Sequence, residues 1–145
     1  MPTTTFEVTG KFDSPADCST LLYAPLEEAA TYRHSTVYEF DFDGDAEKLE
    51  GFAYRILVDY HAQELHSGDD PAIKDFGFFL EIGMKPGALD NEKEAILSYY
   101  QALKDPGFEL TSLKILRRYY IFGTDQPATF VRDMCNPAVH VWRVG

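Results

Sequence analysis

Three groups of side chains are spaced closely enough to raise a question of chemistry. Asp41, Asp43 and Asp45 follow the first three ligand positions of a calcium loop. Such a loop needs glycine at its sixth position and a bidentate glutamate at its twelfth, and this chain has Ala46 and Phe52 there. A strand end followed by a helix N-cap accounts for the same acids. His61, Glu64 and His66 suggest a metal, but a zinc-binding helix sets its histidines four residues apart on one face. Here they are five apart, so they would not face one point. His34 and His140 have no recognisable carboxylate–nucleophile context in the sequence. Cys18 and Cys135 are the two cysteines, and neither lies in a glycine-flanked nucleophile elbow. Cys135 falls on the inward side of a helical pattern, where a thiol acts as a small apolar group. The sequence has no G-x-x-x-x-G-K-S/T phosphate loop and no G-x-G-x-x-G turn.

Charge narrows the ligand classes further. The chain has 145 residues, with 13 basic against 24 acidic ones and a net charge of −11. Gripping a nucleic-acid backbone takes clustered Lys and Arg, so neither nucleic acid nor an anionic membrane is expected as a partner. Against this background Lys85, Arg117 and Arg118 stand out as basic groups near a turn. They are read either as contacts for a partner or its phosphates, or as strand charges that discourage aggregation. Two cysteines make no secreted-type disulfide framework. No signal pattern opens the chain and no apolar run approaches membrane length, so a cytoplasmic location is expected.

The elements that must position these residues alternate along the chain. Phe6, Val8, Gly10 and Phe12 share one face of a strand, and so do Tyr38, Phe40 and Phe42. Phe76, Phe78, Leu80, Ile82 and Met84 repeat the pattern, and 113–122 reads as a longer strand. Alternation against a polar second face predicts antiparallel sheet with helices on one side. Asp45 caps a helix carrying Leu49, Phe52, Ala53, Ile56 and Leu57. Asn91 with Glu94 forms a capping-box pattern for a second helix, and a short third one starts near Asp125 with Pro127 in its first turn. Residues 15–30 are also expected to be helical, against the presence of Pro25.

Laid side by side, residues 4–66 and 76–145 each read strand, helix, strand, helix, short strand. The turn-rich stretch 67–71 lies between them. The expected fold is α+β: one unit over 1–70 and a second over 71–145, two ferredoxin-like copies forming a pseudo-dimer within one compact domain.

One local stretch is more specific. Residues 79–91, Phe-Leu-Glu-Ile-Gly-Met-Lys-Pro-Gly-Ala-Leu-Asp-Asn, run into Glu94, Ala95 and Ile96, a strand, a tight turn and a capped helix start. This resembles the signature of the PurS family, and of the PurS-like N-terminal domain of fused phosphoribosylformylglycinamidine (FGAM) synthases. Residues 113–119 and the Met134-Cys-Asn-Pro-Ala-Val139 stretch with Val141 are similar to the family's later strand and closing segment. The family often has glycine where Lys93 stands, and a Gly-Lys pair where Leu116 and Arg117 stand. Residues 37–66 resemble it weakly, and 1–36 match only in the order of elements.

The resemblance implies a tandem-duplicated, non-catalytic accessory component of FGAM synthase in de novo purine biosynthesis, bridging synthetase and glutaminase. It implies no catalytic residue, metal or cofactor on this chain; ATP and Mg would belong to the synthetase. Partner or anion contacts would come from Lys85, Pro86, Gly87, Asp90, Asn91, Arg117 and Arg118, with self-association through a sheet as a further expectation. The alternative is a small-molecule-sensing regulatory module on the same ferredoxin-like fold, marked by a pocket with convergent polar groups. A third, less favoured reading is a small enzyme using Asp41, Asp43 and Asp45 with His61.

Overall fold

The computed structural model describes residues 2–23, 26 and 29–145. The chain runs β1 (Thr3–Gly10), β2 (Ala16–Asp17), a single 3-10 turn (Cys18–Thr20), β3 (Thr31–Gly44), α1 (Ala46–Leu57) and β4 (Gln63–Ser67). It continues as β5 (Phe78–Met84), α2 (Asn91–Gln101), β6 (Phe108–Phe122), α3 (Ala128–Met134) and β7 (His140–Val144). The seven strands form one antiparallel sheet in the order β4-β1-β3-β6-β5-β7, with β2 attached to the end of β3. This α+β architecture has its two longest strands, β3 and β6, paired at the centre. Read inward from either edge, the order is the same: last, first and middle long strand of each half of the chain.

Helices cover one face because the apolar alternation points there. Phe6, Tyr38, Phe40, Phe42 and Leu113 lie beneath Leu49, Phe52 and Ala53 of α1 and Ile96 of α2. Asp45 caps α1 through its carboxylate, which accepts the Glu47 and Lys48 N–H groups. Over the other end of the sheet, Phe78, Leu80 and Ile121 pack under Phe130 of α3, Cys18 and Cys135. Each fully buried side chain of this kind contributes about 1.5–3 kcal/mol.

Several expectations change. Residues 15–30 form no α-helix among the described residues. Ala16 and Asp17 pair with β3, and the Cys18 N–H donates to the Ala30 carbonyl, so tertiary bonding draws this backbone into the sheet. Residues 24, 25, 27 and 28, Pro25 among them, lie outside the described residues. The first strand ends at Gly10, leaving Phe12 exposed. Phe76 does not share the face of Phe78: Asp75 has φ 65° and the chain becomes a strand only at Phe78, so Phe76 packs with Phe79 and Tyr120 on the opposite side.

That opposite face is the largest departure from a polar, solvated surface. Glu7, Ser35, Glu81 and Arg118 are all at most 4% exposed there. Arg118 Nη1 donates to Glu7 Oε1 at 2.9 Å, and its Nη2 and Nε donate to Glu81 Oε1 at 2.8 and 3.2 Å. The other Glu7 oxygen accepts from the Ser35 and Tyr120 hydroxyls, and Arg143 reaches Glu81 at 2.6 Å. The segment after β4 closes over this cluster: the Ala72 N–H donates to Glu7, and Ile73 and Phe76 pack on Phe79 and Tyr120. Arg118 itself lies 4.5 Å from the Phe79 ring centroid, a favourable cation–π distance.

Burial works against the Arg118 cation, but the Tyr120 bond and the two carboxylate charges outweigh it and leave its pKa above the ordinary value. Burial and then the hydrogen bond to Glu7 push the Tyr120 hydroxyl up to about 12.

Removing one partner strands buried charge, which typically costs about 3–5 kcal/mol. Arg118→Met should destabilise the protein by that amount in urea denaturation, while Arg117→Met, one residue away and exposed, should stay within about 0.5 kcal/mol. Adding Glu7→Gln and Glu81→Gln should recover part of the Arg118→Met loss. The alkaline limb follows from Tyr120. Its folded pKa lies above its unfolded value near 10, so the stability it contributes is full below about pH 10 and declines towards pH 12. Tyr120→Phe should flatten that decline in melts recorded across this window.

Candidate functional site

After β5 the chain reverses in four residues. The Ala88 N–H donates to the Lys85 carbonyl at 3.0 Å, and Gly87 has φ 88°. Proline at the second position and a positive φ at the third are the type II features expected from the sequence. Lys85, Pro86 and Gly87 are all exposed. Asp90 caps the helix that follows; Asn91, read as the cap from sequence, is the first helical residue. Asp90 is extended and its carboxylate accepts the Lys93 N–H at 3.2 Å, so the capping pattern starts one residue earlier.

The start of α2 forms one wall of an open groove of about 550 Å³ on the helix-bearing face. Ile82, Ile115, Arg117 and Tyr119 supply its floor from β5 and β6, because residues two apart in a strand share a face. Met134, His140 and Leu21 close the other side. The groove falls where the two helical layers leave the sheet centre uncovered. Thr36, across from Arg117 in β3, borders a neighbouring depression of about 370 Å³ beside Asp13, His34 and Asp59.

Two polar groups in the groove are held in place by the fold. Glu92 Oε1 accepts the hydroxyl of buried Tyr38 at 2.5 Å. Burial first, then the bond to Glu92 and its charge, raise the Tyr38 pKa, so the phenol remains a donor at neutral pH. Glu92 Oε2 lies 3.7 Å from Arg117 Nη2, with both side chains partly exposed. His140 Nδ1 accepts the Asn136 N–H at 3.0 Å, which places the proton of the neutral ring on Nε2.

The seven residues singled out from sequence therefore separate. Asp90, Asn91 and Arg117 meet in the groove; Lys85, Pro86 and Gly87 form the exposed turn at the other end of the same connection. Arg118 belongs to neither place, because the pleat turns it to the opposite face and into the buried cluster. The sequence reading missed Glu92, Tyr38, Tyr119 and His140. The Arg117–Tyr119 spacing of two was a usable signal, whereas Tyr38 reaches Glu92 across 54 residues with no local signature.

The other candidates have structural partners. Asp41 accepts from Ser112 and Thr3, tying three strands together, and those bonds lower its pKa, the Ser112 bond most. His66 pairs with Thr9 at 2.9 Å, and the His61 ring lies against Tyr60. Burial, reinforced by Asp17, pushes the Cys18 thiol up to about 11, and burial also raises Cys135, the reverse of an activated nucleophile. Among the described residues no three His, Cys, Asp or Glu side chains gather as a metal cluster, and no helix is long and apolar enough to cross a membrane.

At Gly87 an added Cβ would meet nothing within 4 Å, so only its φ opposes a side chain. Gly87→Val should cost about 1–3 kcal/mol in thermal melts through backbone strain alone. A variant that melts like the parent would contradict this geometry.

No family model, no curated protein and no solved structure matches this chain.

Proposed function

We propose that this chain is a PurS-like accessory component of FGAM synthase, non-catalytic by itself, acting in de novo purine biosynthesis in the cytoplasm by bridging synthetase and glutaminase. We also infer that its halves, about 1–70 and 71–145, are fused copies of one ferredoxin-like unit. The single observation that carries this reading is the strand order, β4-β1-β3 followed by β6-β5-β7, with β3 and β6 antiparallel at the centre. A homodimer of strand–helix–strand–helix–strand units joined through their sheets has this arrangement. Glu7 of β1 and Glu81 of β5 occupy strands in the same place of that order and converge on Arg118, as fused copies would allow. The 79–96 stretch that carries the PurS resemblance folds as strand, type II turn and capped helix, and leaves Lys85, Pro86 and Gly87 free for a partner. With no family model matching, the reading stands on this motif and this topology.

A second reading, the small-molecule-sensing module, is favoured by one observation: the groove joins Arg117, Glu92 and His140 over an apolar floor.

The test is reconstitution. Mixed with the synthetase and glutaminase of its own source, the chain should co-elute with both and be required for glutamine-dependent FGAM formation, while alone it turns over neither ATP nor glutamine. Lys85→Ala should weaken complex formation at least about tenfold, about 1.4 kcal/mol, and leave stability within about 0.5 kcal/mol. Synthase activity indifferent to this chain would overturn the proposal.

A further inference from the structure

The groove between α2 and α3 carries a more specific ligand than its volume alone implies. Arg117 and Glu92 form a loose, solvent-exposed ion pair at 3.7 Å, beyond hydrogen-bond length. The Arg117 guanidinium makes no hydrogen bond to any other described residue, although it has five N–H donors. Glu92 is not a drifting surface acid: Tyr38 holds its other oxygen from below. A fixed acceptor and an exposed cation with free N–H donors thus stand side by side in a groove that also presents the apolar side chains of Ile82, Ile115 and Met134.

Charge and size limit what fits. Asp90 and Glu92 outnumber Arg117 at this wall, and the whole chain carries −11. A phosphate dianion would meet two carboxylates for one guanidinium, whereas a zwitterion offers each group its complement. The volume of about 550 Å³ is within the range of small-ligand sites. Tyr119, two residues from Arg117 on the same strand face, adds a hydroxyl to the floor, and His140 presents its Nε2–H from the other side of the groove.

We propose that this groove binds a free α-amino acid with an apolar side chain, its carboxylate on Arg117, its ammonium on Glu92 and its side chain among Ile82, Ile115 and Met134. Bound there, the amino acid would replace a loose ion pair with two direct charge-assisted hydrogen bonds. The site is separate from the exposed Lys85 turn and does not depend on the partner assigned above.

The experiment uses the full chain with L-leucine and L-methionine, read by calorimetry and thermal melting. Saturating ligand should raise the melting temperature by about 3–6 °C. Isocaproate lacks the ammonium and isoamylamine lacks the carboxylate, and each should bind at least about tenfold more weakly. Arg117→Met and Glu92→Gln should each weaken L-leucine by a similar factor; the glutamine keeps an acceptor for Tyr38, so the fold is preserved. The proposal is overturned if neither amino acid binds, if binding persists unchanged in both variants, or if inorganic phosphate or adenosine stabilises the protein more than either amino acid does.

Discussion

Two carboxylates from opposite halves of the chain, Glu7 and Glu81, meet on one buried guanidinium, and the rest of the sheet is built around that meeting. A charge moved out of water costs several kcal/mol, which only close partners and further hydrogen bonds offset. Arg118 therefore demands that β1, β3, β5 and β6 keep one register, because a slip of one residue would turn its side chain to the other face. Ser35 and Tyr120 take one Glu7 oxygen, while the Ala72 N–H and Arg118 take the other. The cluster is thus satisfied by β1, β3, β5, β6 and the connection between the halves. A purely apolar face could slide; this one has a single fitting alignment.

The two faces of the sheet consequently do different things. The face with the ion cluster is closed by the 68–77 connection, whose Ile73 and Phe76 pack over Phe79 and Tyr120. The helical face is covered at both ends and left open in the middle, where Arg117, Thr36 and His34 reach solvent. Adjacent residues of β6 thereby receive opposite fates. Arg117 is available to a ligand or partner, and Arg118 is structural, although the two look identical in sequence. The open middle follows from the lengths of the covering elements: residues 11–30 provide only a short strand and one 3-10 turn among the described residues, against the eleven residues of α2 in the other half.

Much of the fold and part of the site could be read directly from residue types. Apolar alternation located β1, β3 and β5, since a period of two is imposed by the pleat itself, and a longer run apolar on both faces located 113–122 of β6. Asp45 marked the start of α1, and Pro86 with Gly87 marked the type II turn, because these are local requirements of φ and of capping. The cap of α2 was displaced by one residue, from Asn91 to Asp90, a choice between neighbouring side chains that both can cap. The helix expected over 15–30 is absent among the described residues for a different reason: Ala16 and Asp17 found partners on β3, distant in sequence, and tertiary pairing overrode local propensity there.

What the sequence determined by itself is thus the set of objects whose causes are local: strand faces, helix caps, the turn, and a charge balance that disfavours polyanions. What only the tertiary structure decided is which of those objects meet. Glu7 reaches Arg118 across 111 residues and Tyr38 reaches Glu92 across 54, and no spacing rule links positions so far apart. Whether Arg118 is a contact or a keystone depends on which face of β6 the 68–77 connection covers, and that is settled by packing. The pairing of Arg117 with Glu92 in one groove likewise exists only once α2 has docked on the sheet.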